Sequence, residues 1–136
     1  MNNIEQTLSI IKPDAVERNL IEKIKDIFLK NRLNIKDSKK IHITKDEAAE
    51  FYKVHQSKPF YNDLCSYLSS GPIVVMILEK ENAVLANREL MGATNPKDAA
   101  DGTIRKKFGI SIDKNSVRGS DSLENAKIEI DFFFKV

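Results

Sequence analysis

The pattern of apolar and polar positions divides the chain into short elements. Thr7-Leu8-Ser9-Ile10-Ile11 reads as a strand, halted by Pro13, which has no amide hydrogen to give to a ladder. Leu20, Ile21, Ile24, Ile27 and Phe28 recur at helical spacing with Lys and Glu opposite them, predicting an amphipathic helix that ends near Asn31. Ile35 to Ile43 alternates weakly and carries its lysines on one side, which predicts a second strand. Thr44 with Glu47 forms a capping box for the helix that follows. A short helix is expected from Tyr61 to Ser69, closed by Gly71.

Ile73-Val74-Val75-Met76-Ile77-Leu78 is the most apolar run, and its bounds at Pro72 and Glu79 predict a central strand buried on both faces. Glu81 to Met91 reads as a helix that buries Val84, Leu85 and Leu90. From Gly92 to Ser120 apolar residues are few and turn residues many, so a long irregular segment is expected, with a short fourth strand at Ser116-Val117-Arg118. A last helix is expected from Asp121, with Glu124 three residues on, burying Leu123, Ala126, Ile130 and Phe133 or Phe134. This order predicts a single α+β domain over residues 1–136. It is of the ferredoxin-like (split βαβ) type, a small four-stranded antiparallel sheet covered by helices on one face.

Composition narrows the setting. Charged residues make up 31% and hydrophobic ones 41%, the balance of a soluble globular chain. Cys65 is the only cysteine, so no intramolecular disulfide can form, and its packed helical context predicts a buried structural thiol. The absence of a long apolar run excludes a membrane-spanning helix, and the start of the chain lacks a signal-peptide pattern; a cytoplasmic protein is expected. Lys97, Arg105, Lys106, Lys107, Lys114 and Arg118 raise a nucleic-acid reading, but a net charge of +2 argues against it as a main role.

No GxGxxG follows a strand and no GxxxxGK[ST] is present, so a phosphate site would have to be assembled from separate side chains. Lys12, Arg88, Arg105 and Arg118 lie near segment ends, and Thr94, Asn115 and Ser120 add neutral donors. Such a set suits a polyphosphate, because guanidinium forks match phosphate oxygens and lysine supplies a point charge. The same residues also read as scattered surface charge, and spacing alone favours that reading. Tyr52 and Phe60 flank the turn Gln56-Ser57-Lys58-Pro59, where a ring can stack on a base or serve the core. His42 and His55 with one distant cysteine make no metal set.

At these residues the sequence resembles the nucleoside diphosphate kinase family over essentially its whole length. The landmarks are Ile11-Lys12-Pro13-Asp14, Lys58-Pro59-Phe60, Ser70-Gly71-Pro72, Met91-Gly92-Ala93-Thr94-Asn95-Pro96, Gly102-Thr103-Ile104-Arg105, and Asn115 with Gly119-Ser120-Asp121-Ser122. The resemblance implies γ-phosphoryl transfer from a nucleoside triphosphate to a nucleoside diphosphate, with Mg²⁺, by a ping-pong phosphohistidine route. It implies that Lys12, Thr94, Arg88, Arg105 and Asn115 surround the phosphates and sugar, that Phe60 stacks on the base, and that Leu64 and Ile112 line its slot. Tyr52 would hydrogen-bond around the nucleophile, Glu129 would orient the catalytic imidazole, and Ser120 would support the phosphorylated state. The metal would be held mainly by the nucleotide phosphates. A homo-oligomer is implied, a hexamer before a tetramer, with the Gly92–Lys114 loop and the exposed sheet edge at its contacts.

The family pattern reads Asn-x-x-His-Gly-Ser-Asp, and the chain has Arg118 where that histidine stands. A phosphoryl carrier needs a free lone pair on nitrogen, which a protonated, delocalised guanidinium lacks. Transfer is therefore expected to be blocked or severely impaired. The chain reads as a kinase with an altered nucleophile position or, alternatively, as a non-catalytic nucleotide-binding or regulatory protein on the same scaffold. His42 and His55 lie in other elements and are not expected to reach the pocket. Arg118 would add a cation where the γ-phosphate lies, which predicts a preference for triphosphate over diphosphate.

Overall fold

The structure is a computed structural model that describes residues 4–112 and 114–134. Four strands form one sheet: β1 (Ile4–Ile11), β2 (Asn34–Ile41), β3 (Ile73–Glu81) and β4 (Val117–Gly119). Their order is β2-β3-β1-β4, with every neighbouring pair antiparallel. β1 and β2 thus run the same way with β3 between them, the split βαβ arrangement of the ferredoxin-like α+β fold.

Seven helices pack on this sheet: α1 (Pro13–Glu17), α2 (Ile21–Lys30), α3 (Lys45–Phe51), α4 (Tyr61–Leu68), α5 (Ala83–Met91), α6 (Ile104–Phe108) and α7 (Leu123–Phe133). They cover both faces, not the one expected. Val74, Met76 and Leu78 meet Ile24 and Phe28 of α2 and Ala83 and Met91 of α5. Ile73, Val75 and Ile77 face the other way, toward Ala48, Cys65, Leu68, Ile130 and Phe133. The cause is legible in β3 itself: a strand apolar at both parities needs a layer of helices on each side.

Several boundaries differ from the expectation for identifiable reasons. Pro13 ends β1 and also opens α1, because the first helical position needs no amide hydrogen. α5 buries Ala83, Asn87 and Met91 and leaves Leu85 exposed. α7 begins at Leu123 with Ser122 as its cap, and Asn125 N–H donates to Ser122 Oγ at 3.1 Å. Leu123 is exposed there, and Asp121 instead accepts from Asn125 Nδ2 at 2.7 Å. The Thr44–Glu47 capping box forms as predicted, with bonds of 2.9 and 3.1 Å.

The segment between α5 and β4 is more ordered than its turn-rich composition suggests. It holds a 3₁₀ turn at Pro96–Asp98 and α6, and Ile104 reaches the core. Pro96, Ala99 and Arg105 are buried as well, so the segment is anchored in its own chain. Among the described residues no helix is long and apolar enough to cross a membrane.

Candidate functional site

The polar residues converge where β1 ends and β4 begins. Lys12 is the first residue past β1, and its amide donates to the Ser116 carbonyl at 2.8 Å. Its Nζ donates to Asn115 Oδ1 at 2.9 Å, although the two lie 103 positions apart. Asn115 Nδ2 donates in turn to the carbonyls of Thr94 at 3.0 Å and Ile112 at 3.1 Å. Ser116 turns the chain into β4 through a left-handed backbone, φ +76°, which is uncommon for a residue with a side chain. Lys12 is only 8% exposed, which a scattered surface cation would not be.

Arg105 of α6 is 9% exposed and reaches the same region. Its guanidinium donates to the carbonyls of Gly92 at 3.0 Å and Val117 at 2.9 Å, while Nε has no partner among the described residues. Burial, with the charge of Arg118 added to it, lowers its pKa to about 10. Two guanidinium groups therefore act on each other here, a charge excess that an anion would relieve. Arg88 is exposed on α5. Its charge and that of Arg118 help hold the Asp121 carboxyl below the usual range, behind the larger effect of the Asn125 hydrogen bond. Lys12, Arg105 and Arg118 thus gather around β4 and the turn into it, while Arg88 stays exposed on α5.

Arg118 is not aimed into open space. It makes a two-pronged pair with Glu129, Nη1 to Oε1 and Nη2 to Oε2, both at 2.9 Å. Ser120 Oγ donates to Glu129 Oε1 at 2.7 Å. The guanidinium carbon also lies 4.7 Å from the Phe51 ring centre and 5.6 Å from that of Tyr52. Burial acts to lower its pKa, but the Glu129 bonds and nearby negative charge outweigh it and raise the guanidinium further. The expected triphosphate preference loses its basis, because the fork that would grip a γ-phosphate is engaged by Glu129.

The two aromatic candidates differ in burial. Tyr52 is buried, and burial raises its phenol pKa. Phe60 is 47% exposed at the N-cap of α4 and, with Asp63, Leu64, Tyr67 and Lys114, lines an open slot of about 400 Å³. Ile112 is exposed beside the loop and is not part of that lining; its contribution is the carbonyl that holds Asn115. Thr94 likewise acts through its carbonyl.

The structure corrects one expectation about histidine. His55 belongs to a separate element, yet it lines the same 210 Å³ cavity as Arg118, Phe51 and Glu129. Its ring lies 6.2 Å from Tyr52 and 6.0 Å from Phe60. The signal in the sequence is position: His55 sits in the short connection between those two aromatics. His42 stays apart, its Nε2 2.8 Å from the Ser69 carbonyl.

Comparison with known proteins bears on these features together. The family model described as nucleoside diphosphate kinase matches residues 5–136. The nucleoside diphosphate kinase of a Nitratiruptor species is 62% identical over 131 residues, 96% of each chain. That of Campylobacter jejuni subsp. jejuni serotype O:6 is 61% identical over 132 residues, 97% of this chain and 96% of the relative. Among solved structures, the Aquifex aeolicus nucleoside diphosphate kinase superimposes with a TM-score of 0.95 at 41% identity, over 97% of this chain and 96% of its own. Agreement in sequence and fold over nearly the full length leads to one conclusion: this chain belongs to the nucleoside diphosphate kinase family.

Proposed function

We propose that the chain binds a nucleoside di- or triphosphate, its base against Phe60 and Leu64 and its phosphates among Lys12, Arg88, Thr94, Arg105 and Asn115. On this reading it is a nucleoside diphosphate kinase-type protein whose γ-phosphoryl transfer is blocked or severely impaired by Arg118. The observation that carries the reading is the Arg118–Glu129 pair. In the family's ping-pong route an imidazole nitrogen attacks the γ-phosphorus, the bond to the diphosphate breaks, and a second diphosphate later takes the phosphoryl group. Arg118 has no lone pair to begin this, and it occupies the carboxylate that would orient an imidazole. Kinship to named kinases at about 60% identity favours an impaired kinase over a protein built only to bind.

The donors around the phosphates are cationic or neutral, which suits a phosphate chain and not a bare divalent ion. Mg²⁺ would therefore arrive on the nucleotide's own oxygens, where it offsets charge on the transferring group. Identical subunits would assemble as a hexamer or a tetramer, and light scattering reporting a stable monomer would contradict that. The decisive experiment is incubation with γ-labelled ATP and detection of acid-labile phosphoprotein. The parent should show none, with transfer slowed by several orders of magnitude. Arg118→His should restore both, because Glu129 and Ser120 remain positioned to hold the ring. A parent that transfers phosphate at the rate of the histidine variant would overturn the reading.

A further inference from the structure

Asp14 is a buried carboxylate that none of the proposed nucleotide contacts uses. Tyr67 Oη donates to its Oδ1 in a short hydrogen bond, and the Asp14 amide donates back to Tyr67 Oη at 3.0 Å. Ser116 Oγ donates to Oδ2 at 3.2 Å, and Arg18 Nη2 donates to the same oxygen at 3.1 Å. Arg18 extends the network to the Phe108 carbonyl at 2.6 Å. Both carboxylate oxygens are thereby engaged. Burial first, and then the bond to Asp14 and its charge, raise the Tyr67 phenol pKa, so Tyr67 remains a donor at any physiological pH.

These bonds join three segments that each bear a proposed nucleotide contact. Tyr67 belongs to α4, whose N-terminal end carries Phe60 and Leu64. Asp14 lies two residues beyond Lys12, and Ser116 follows Asn115. We infer that Asp14 and Tyr67 are positioning residues that fix the distance between the base slot and the phosphate donors of the nucleotide site. The inference rests on the nucleotide reading above. A nucleotide has one base-to-phosphate span, so a scaffold held at that span lets one molecule satisfy both subsites without drawing them together. Neither subsite needs the link when its fragment binds alone.

The test uses the full chain as parent, Asp14→Asn and Ser116→Ala, each titrated with Mg-ADP, adenosine and Mg-tripolyphosphate. The expected result is a loss of roughly tenfold in Mg-ADP affinity, with each fragment within about twofold of the parent. Unchanged Mg-ADP affinity would overturn the inference. A matching loss for adenosine alone would overturn it too, by confining the effect to the slot that Tyr67 helps to line, and parallel losses for all three ligands would overturn it by showing general loosening. If Asp14→Asn does not fold, Ser116→Ala, which removes only one donor from the same carboxylate, is measured against the same outcomes. A parent that binds none of the three ligands defeats the nucleotide reading itself, and this inference with it.

Discussion

Arg118 of β4 and Glu129 of α7 face each other as two parallel N–H···O bonds of equal length, 2.9 Å. The pair fastens a three-residue edge strand to the helix that follows it, and Ser120 adds a third bond to the same carboxylate. Both side chains are largely buried, at 22% and 14% exposure, so solvent screens the pair only weakly. Glu129 thus serves as the anchor of a clamp between β4 and α7.

Breaking the clamp from one side should be costly. Arg118→Met leaves Glu129 charged with Ser120 as its remaining side-chain donor, and a loss on the order of 1–3 kcal/mol is expected. Urea unfolding of R118M, E129Q and the double variant measures it. The double variant should lose less than the sum of the singles; simple additivity would show that the two residues are not coupled.

Anions should stabilise the fold through the Arg105–Arg118 neighbourhood. The lowered Arg105 pKa records positive charge held at a cost, which a bound polyphosphate offsets. At about 100 times Kd, Mg-ADP should add about 2.7 kcal/mol and raise the melting temperature by about 5–10 °C. Arg105→Met should bind more weakly and show a smaller rise. An equal rise in parent and variant would remove Arg105 from the site.

Alkaline pH should weaken the fold in part through Tyr67. Its folded pKa lies above the ordinary 10.0, so its contribution is complete below pH 10 and is lost as pH rises toward the folded value. Unfolding free energy should fall above about pH 10, by at most about 1.4 kcal/mol per pH unit from this group and by less as solvent screens the half-buried phenol. Tyr67→Phe should flatten that slope, and Tyr52, raised by burial in the same sense, contributes to what remains. Identical slopes in the two proteins would contradict the assignment.

A side chain at Gly119 should fit only if Asn87 and Met91 swing aside. A Cβ there would stand 2.3 Å from Asn87 Nδ2 and 2.8 Å from Met91 Cε, both on α5. Gly119→Ala is expected to cost about 1–3 kcal/mol through overpacking, and thermal unfolding reads it directly. The displaced strand carries Arg118, so the variant should also lose more than an isolated surface change would. A melting temperature equal to the parent's would mean that the Asn87 and Met91 side chains move aside at little cost.

Local pattern carries the fold where a few adjacent residues decide the outcome. The Thr44–Glu47 box stands as read, and the β3 run is a strand buried on both faces as read, though it continues past Leu78 to Glu81. Where partners lie far away the pattern is mute. Nothing near Leu85 or Leu123 tells that each faces outward, because that depends on which face of the helix β4 or β1 approaches. α6 is hidden in the sequence because its five residues, Ile104–Phe108, are too few for a helical period to show. At the site, motif resemblance supplies the positions, but Lys12 to Asn115 is a contact across 103 residues. His55 escapes notice because it sits in a 3₁₀ turn with no periodicity to place its ring.

The pairing of β4 with β1 has a consequence for how the chain is made. β1 and β3 can align once Glu81 has been synthesised, since their register ends there. Lys12 must still wait for Asn115, and Asp14 for Ser116, 102 residues downstream. A nascent chain can thus hold β1, β2 and β3 paired while the Lys12–Asn115 and Asp14–Ser116 bonds are still missing. Under the nucleotide reading, a fragment truncated before Asn115 would bind no phosphate chain, however well its remaining strands pair.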